Sequence, residues 1–196
     1  MHGLLFLFNV IVIVLITGHL VLQKENEMIK VGDLIPAVTL TEFLEAESNG
    51  SGPGPNPVDS LKAAKSKTIA VFAVPGAFTP TCSARHVPGY TEHAQDFKDA
   101  GVDEVWCLSV NDVFVMGAWG RDQQTADKVR MLADGDAAFA KATGLTLDLT
   151  GKGLGLRSNR YSMLIKDGIV TTLNIEDAGK FEVSDAATML AQARSS

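Results

Sequence analysis

The stretch Thr68 to Tyr90, TIAVFAVPGAFTPTCSARHVPGY, decides how this chain is read. Its first seven residues, Thr68 to Val74, form a short continuous apolar run with β-branched members, the pattern of a strand buried on both faces. A turn segment, PGAFTPT, leads straight into Cys82. From Ser83 to Asp99, apolar or aromatic side chains fall at Val87, Tyr90, Ala94 and Phe97, the 3.6-residue spacing of an amphipathic helix, with Pro88 an early irregularity. Cys82 therefore stands where the exit loop of a buried strand becomes a helix.

Working outward, Glu104 to Val110 (EVWCLSV) reads as a second buried strand, and Asp112 as the N-cap of a helix from Val113 through Gln123. Arg130 to Ala133 gives a short strand. Asp136 is expected to cap a helix over Ala137 to Ala142 that stops at Gly144. Tyr161 to Lys166, Asp167-Gly168 and Ile169 to Asn174 spell a hairpin with an Asp-Gly turn, and a last helix is expected from Ser184 to Ala193. Toward the N-terminus, Ala37 to Thr41 reads as an edge strand. The Gly-, Pro- and Asn-rich segment Glu47 to Pro57 reads as a solvated loop. Alternating strands and helices, then a hairpin and a closing helix, describe a thioredoxin-like α/β fold: one domain over residues 28–196, with a central mixed β-sheet flanked by helices.

Composition narrows the function. The chain has 196 residues, 46% hydrophobic and 20% charged, enough to bury one substantial core. A formal net charge of -6 without any basic run argues against nucleic acid as a partner. Two cysteines, Cys82 and Cys107, are too few for a disulfide scaffold and are not spaced as a zinc site. The glycines of GKGLGLRS lack the G-K-[ST] ending and the preceding strand of a phosphate loop, so neither a nucleotide nor another cofactor is expected, and no metal. Residues 1–27 stand apart. Gly3 to Thr17 is almost wholly apolar, but shorter than a membrane span of about 20 residues and without a charged n-region. The segment reads either as a signal or anchor or as sequence upstream of a start at Met28.

The chemistry centres on Cys82. A thiol attacks as its thiolate, and the free N–H groups and positive end of a helix's first turn favour an anion there. In PGAFTPTC, Pro75 would shield the sulfur from water on one side. The Thr79 hydroxyl can accept from or donate to a peroxide oxygen held against it.

The segment VPGAFTPTCSARHVPGY resembles the active site of the peroxiredoxin 5 subfamily, the type II peroxiredoxins. Further matching stretches are CLSVNDVFVMGAW (Cys107 to Trp119), VRMLADGDAAFAKATGL (Val129 to Leu145) and GLGLRSNRYSMLIKDGIV (Gly153 to Val170). The resemblance implies a thioredoxin-like fold and a thiol peroxidase acting on hydrogen peroxide and organic hydroperoxides. It implies Cys82 as the peroxidatic cysteine, in a pocket with Pro75 and Thr79. Arg160 would be the cation that steadies the departing oxygen, although spacing alone cannot bring residue 160 beside residue 82. Animal members carry a resolving cysteine near the C-terminus, whereas Asn174 to Leu190 has none, with Val183 near that place. The pattern KFEVSDA is similar to plant and bacterial members, so recycling by glutathione with glutaredoxin, or by thioredoxin, is implied. A cytoplasmic homodimer is the accompanying expectation, with a membrane or export route only if residues 1–27 are retained.

Blander readings stand beside these. Cys107, in the middle of a strand, reads as a small hydrophobe that could resolve a disulfide only through local unfolding. Arg160 taken alone reads as a surface ion-pair residue. His86 and His93, seven apart, read as solvated helix residues. Tyr90, Phe97, Phe114, Trp119 and Phe139 recur at helical spacings and read as core or subunit contact, while for Phe78 and Pro80 the resemblance implies pocket lining or a dimer contact. A disulfide oxidoreductase would share the fold but needs C-x-x-C, and Cys82-Ser83-Ala84-Arg85 has arginine in the second position. A binding module without catalysis is the remaining alternative.

Overall fold

The structure, a computed structural model, describes residues 27–46 and 52–196, together with the backbone of two two-residue strands, Leu15–Ile16 (β1) and His19–Leu20 (β2), that pair antiparallel. The expected signal or anchor, Gly3 to Thr17, lies outside the described residues apart from that pairing. No helix among the described residues is long and apolar enough to cross a membrane.

Thr68–Val74 (β5) and Glu104–Ser109 (β6) run parallel at the middle of a seven-stranded mixed sheet. Arg130–Ala133 (β7) continues the parallel set, and Thr39–Leu44 (β3) and Gly54–Asp59 (β4) extend that side antiparallel. On the other side Tyr161–Lys166 (β10) and Ile169–Ile175 (β11) form the hairpin, giving the order β11-β10-β5-β6-β7-β3-β4. Asp167 and Gly168 take φ values of 49° and 81°, the left-handed pair that a two-residue hairpin turn requires.

Strand alternation divides the core into two layers. Ala70, Phe72 and Val74 of β5, with Val105 and Cys107 of β6, face one side. They meet Tyr90 of Val87–Glu92 (α2), Phe97 of Ala94–Asp99 (α3), Met116 and Trp119 of Val113–Asp122 (α4), and Met189 of Ala186–Arg194 (α6). Ile69, Val71 and Ala73, with Trp106 and Leu108, face the other side, against Phe139 of Ala138–Thr143 (α5) and Ala64 of Ser60–Ala64 (α1). Each fully buried Val, Leu, Ile, Phe or Met among them contributes about 1.5–3 kcal/mol. The mixed sheet flanked by helices is thus what the sequence predicts.

The differences are local. Thr39–Leu44 is an inner strand, because the edge is β4, drawn from the segment read as a loop. Pro55 and Pro57 fit there because an edge strand tolerates residues that cannot donate to a neighbour. Residues 47–51 lie outside the described set. The helix at α5 is held not by Asp136 but by Asp134, whose carboxylate accepts from the N–H groups of Phe139 and Ala140 while Ala137 turns at φ 55°. The last helix is capped by Asp185 rather than Ser184. The glycine-rich run does follow a strand. Thr146–Leu149 (β8) pairs antiparallel with Gly155–Ser158 (β9), a hairpin whose positive-φ Gly151 and Gly153 serve the turn, and no helix follows it.

Candidate active site

The site is assembled at the C-terminal ends of the two central parallel strands. After Val74 the chain leaves β5 through Pro75-Gly76-Ala77-Phe78, and Pro80 and Thr81 already take helical conformation, so Cys82 lies in a helical first turn. Proline suits the opening position, where a missing N–H leaves no hydrogen bond unmade. The loop is pinned from β6. Asn111, just beyond that strand, accepts the Ala77 N–H at 2.9 Å and the Ser109 hydroxyl at 2.7 Å. Phe78 sits at φ 60°, a conformation sparsely used by residues other than glycine, and its exposed ring lies 6.2 Å from Trp119. The Thr79 hydroxyl donates to the Gly76 carbonyl at 2.8 Å, which leaves its oxygen lone pairs free to accept.

Residues Cys82–His86 form a π-turn in which the Val87 N–H reaches the Cys82 carbonyl. Pro88 explains it: its nitrogen has no hydrogen to give the carbonyl four residues back, and the turn widens by one residue before α2 begins. The wider turn directs His86 inward. This overturns its reading as a solvated residue, since His86 is fully buried while His93 is half-exposed beside Asp96. Burial is tolerated because both ring nitrogens are partnered. Nε2 lies 3.0 Å from the Ser184 carbonyl and Nδ1 lies 3.0 Å from Arg160 Nη1. A guanidinium only donates, so Nδ1 must accept and Nε2 must carry the proton. Burial, with the Arg160 charge adding to it, brings His86 from its ordinary 6.5 down to about 3, against the pull of the Ser184 carbonyl. The ring is neutral.

Sheet topology, not sequence spacing, delivers Arg160. In the antiparallel pairing of β10 with β5, Tyr161 lies opposite Ala73, so the preceding residue falls beside the point where β5 gives way to the cysteine loop. Arg160 Nη1 donates to Cys82 Sγ at 3.4 Å as well as to His86. Of the four site residues singled out in the sequence, Cys82 and Arg160 are in direct contact. Thr79 is three residues before the cysteine on the same turn, and Pro75 stands half-buried at the loop's start, its carbonyl accepting from Arg157 Nη1 at 3.3 Å. Cys82 itself has no exposed surface.

Beyond this group, the support comes from the segment after β11. Glu176 Oε1 accepts the N–H groups of Glu182, Val183 and Ser184, each at 2.8 Å, and the Ser184 hydroxyl at 2.9 Å. Burial works to raise the Glu176 carboxyl, but these donors outweigh it and hold the group below its usual range. The carbonyl of Ser184, fixed in this way, takes both His86 and the Tyr90 hydroxyl. Sequence reasoning missed His86, Asn111, Glu176 and Ser184. Only His86 had a usable signal, four residues before Tyr90 on the apolar face. Cys107 is buried in β6 as expected. Burial pushes its thiol well above the ordinary range, and neighbouring Cys82 adds to the rise.

The arrangement is one sulfur at a helix start, one guanidinium on it, and a neutral imidazole locking the guanidinium. It is suited to attack on a polar bond whose leaving atom gains negative charge. Comparison with known proteins agrees. The Redoxin family model matches residues 30–190. The chain is 46% identical to Peroxiredoxin-2B of Arabidopsis thaliana over 162 residues, 83% of this chain and 96% of that protein. Among solved structures, a Burkholderia cenocepacia chain provisionally described as a thioredoxin reductase is 57% identical, with a TM-score of 0.83, covering 84% of this chain and 98% of that one. Reduced Prx3 of Vibrio vulnificus in complex with hydrogen peroxide is 46% identical, with a TM-score of 0.78, covering 85% and 99%.

Proposed function

We propose, from the premise that this chain belongs to the Redoxin family and is a peroxiredoxin, that Cys82 is the sulfur with which it reduces peroxides. The protein is a thiol peroxidase with an antioxidant role, using a thiol reductant. The single observation that carries the assignment of the site is the Arg160 guanidinium on Cys82 Sγ, locked from behind by His86. The Cys82 thiolate attacks one oxygen of the peroxide, the S–O bond forms as the O–O bond breaks, and the departing alkoxide or hydroxide takes up a proton to leave as alcohol or water. Arg160 stabilises the charge on that oxygen, Thr79 orients the peroxide, and Pro75 keeps water from the sulfur. Hydrogen peroxide is the first substrate to test, since it is the ligand held by the Vibrio vulnificus relative.

The Cys82 sulfenic acid is reduced through a mixed disulfide with glutathione, itself cleared by glutaredoxin, or directly by thioredoxin. The absence of a cysteine after Cys107 supports an external thiol. A disulfide oxidoreductase is disfavoured because Arg85 occupies the second cysteine's place in C-x-x-C. Residues 28–196 constitute the peroxidase domain, working in the cytoplasm unless residues 1–27 are retained as an anchor or export signal. It works as a homodimer closed over the exposed rings of Phe78 and Phe114. In the test, the protein receives one equivalent of peroxide and then glutathione. Mass spectrometry is expected to find the glutathione adduct on Cys82 alone, and Cys82→Ser to abolish peroxide consumption. A normal rate in that variant ends the assignment.

A further inference from the structure

The six arginines of the chain divide by position. Arg121 pairs with Glu45, Arg130 with Glu42 and Glu104, and Arg194 with Asp96, all away from the thiol. Arg160 touches Cys82, Arg157 lies on the loop that leads to it, and Arg85, three residues beyond it, shares the Phe181 ring with Arg160; among the described residues no carboxylate comes within ion-pair distance of any of them. Arg160 is accounted for by the peroxide step. Arg85 and Arg157 are not.

Arg157 is held from β9 by two backbone carbonyls, Nε donating to Leu154 at 2.7 Å and Nη1 to Pro75 at 3.3 Å. The same Nη1 lies so close to Gly76 that a Cβ there would meet it at 2.9 Å and the Thr79 methyl at 3.2 Å, which places the guanidinium on the loop beside the pocket. Two of its five donors are engaged with neutral acceptors and the rest are open. Arg85 approaches from the helix side. Its guanidinium stacks 4.8 Å from the centre of the Phe181 ring, the same ring that Arg160 covers at 5.7 Å. The stack fixes the side chain's direction while leaving its N–H groups at the surface. Glu92 and Asp185 line the groove beside Arg85. Asp185 is committed to capping α6, and neither acid reaches the guanidinium. A chain with net charge -6 thus presents two oriented, unneutralised cations, one on the loop that precedes Cys82 and one on the helical turn that follows it.

We propose that Arg85 and Arg157 form a two-point anion rim that selects the reductant: a small thiol carrying a carboxylate toward each end, of the glutathione class. The inference rests on the reading of Cys82 as the oxidised sulfur. With the rim holding the carboxylates, the thiol in the middle of the molecule meets the Cys82 sulfenic acid. The S–S bond forms, the S–O bond breaks, and the leaving hydroxide takes the thiol proton as water. A second thiol then attacks the mixed disulfide, releasing the oxidised dimer of the reductant and returning Cys82 as thiol.

The test uses the full chain and measures sulfenic acid reduction after a single peroxide equivalent, with four thiols: glutathione, glutathione glycyl ethyl ester, cysteamine and dithiothreitol. The readout is each rate divided by the dithiothreitol rate, so that any change in the pocket common to all thiols cancels. The ester, lacking one carboxylate, is expected to react more slowly than glutathione. Arg85→Gln and Arg157→Gln are each expected to lower the glutathione ratio by about fivefold. Arg85→Glu is expected to lower it further while raising the ratio for the cationic cysteamine, an inversion that a merely structural role would not produce. Equal ratios in wild type and variants, or parallel losses with all four thiols, overturn the rim and leave the peroxidase reading standing. Failure of the wild type to consume peroxide even with dithiothreitol overturns both.

Discussion

Cys82 and Cys107 are both fully buried and belong to the same hydrophobic cluster, yet their surroundings differ in kind. Cys107 sits in the middle of β6, with Phe72 of β5 and Met131 of β7 beside it in register, and every neighbouring backbone group is spent on the sheet. Cys82 sits at the start of a helical turn, with a guanidinium on its sulfur and a half-buried threonine three residues away. Burial therefore does not distinguish the thiol proposed to react from the other one. What differs is whether the surrounding dipoles and charges are arranged to receive negative charge, and the sheet interior has nothing to offer it.

The sharpest way to break the contrast is to remove the charge and keep the sulfur. Arg160→Lys retains a cation but loses the planar fork that serves Cys82 and His86 at once, so the bimolecular rate with hydrogen peroxide is expected to fall by about 10²-fold. Stopped-flow fluorescence of Trp119, whose indole N–H donates to the Ser83 hydroxyl at 3.0 Å next to Cys82, reads this directly. A rate within threefold of wild type would show that the guanidinium is incidental.

His86→Phe sharpens the same point from behind. With no ring nitrogen to accept from it, Arg160 keeps Cys82 and the Phe181 ring but loses its partner on the imidazole, and a rate loss of about tenfold is expected, smaller than that of removing the guanidinium itself. The variant also changes stability with pH, and the sign follows from the depressed titration of His86. Below its ordinary 6.5 the unfolded chain takes up a proton that the folded ring refuses until about 3. Wild type therefore loses stability as the pH falls through that window, on the order of 1 kcal/mol per unit from this group, and holds the full contribution above 6.5. Urea titrations between pH 7 and 4 should show a shallower decline for His86→Phe. Identical slopes would mean that the imidazole is not the buried neutral group described.

Much of this was legible in the chain. Continuous apolar runs mark β5 and β6 because both faces of those strands are covered, and Asp-Gly marks the β10–β11 turn because only left-handed residues close it. Cys82, Thr79 and Pro75 lie within eight residues, so one motif carries them. Arg160 needs the antiparallel register of β10 against β5, which no local pattern encodes, and enters the sequence reading only through resemblance. A regular helix would leave His86 solvated, whereas the π-turn that Pro88 imposes carries it inward. The edge strand β4 was hidden by the prolines that an edge allows. Glu176 and Ser184 act through backbone groups, and a carbonyl's role leaves no trace in residue type.

The mildest test concerns the other member of the pair. Replacing Cys107 by alanine removes one sulfur from the packed layer between β6 and the helices, and a stability loss of about 1 kcal/mol is expected. Cys107→Ser keeps the volume more nearly but places a hydroxyl where the thiol was a weak and undemanding donor, and should be less stable than the alanine variant by about another 1 kcal/mol. Neither change touches Arg160, Thr79 or the turn that carries Cys82, so peroxide consumption with dithiothreitol should stay within twofold of wild type in both. Denaturant midpoints and peroxide rates measured on the same preparations separate the two effects. A tenfold rate loss in Cys107→Ala at unchanged stability would place the second sulfur in the chemistry and erase the difference between the two sites.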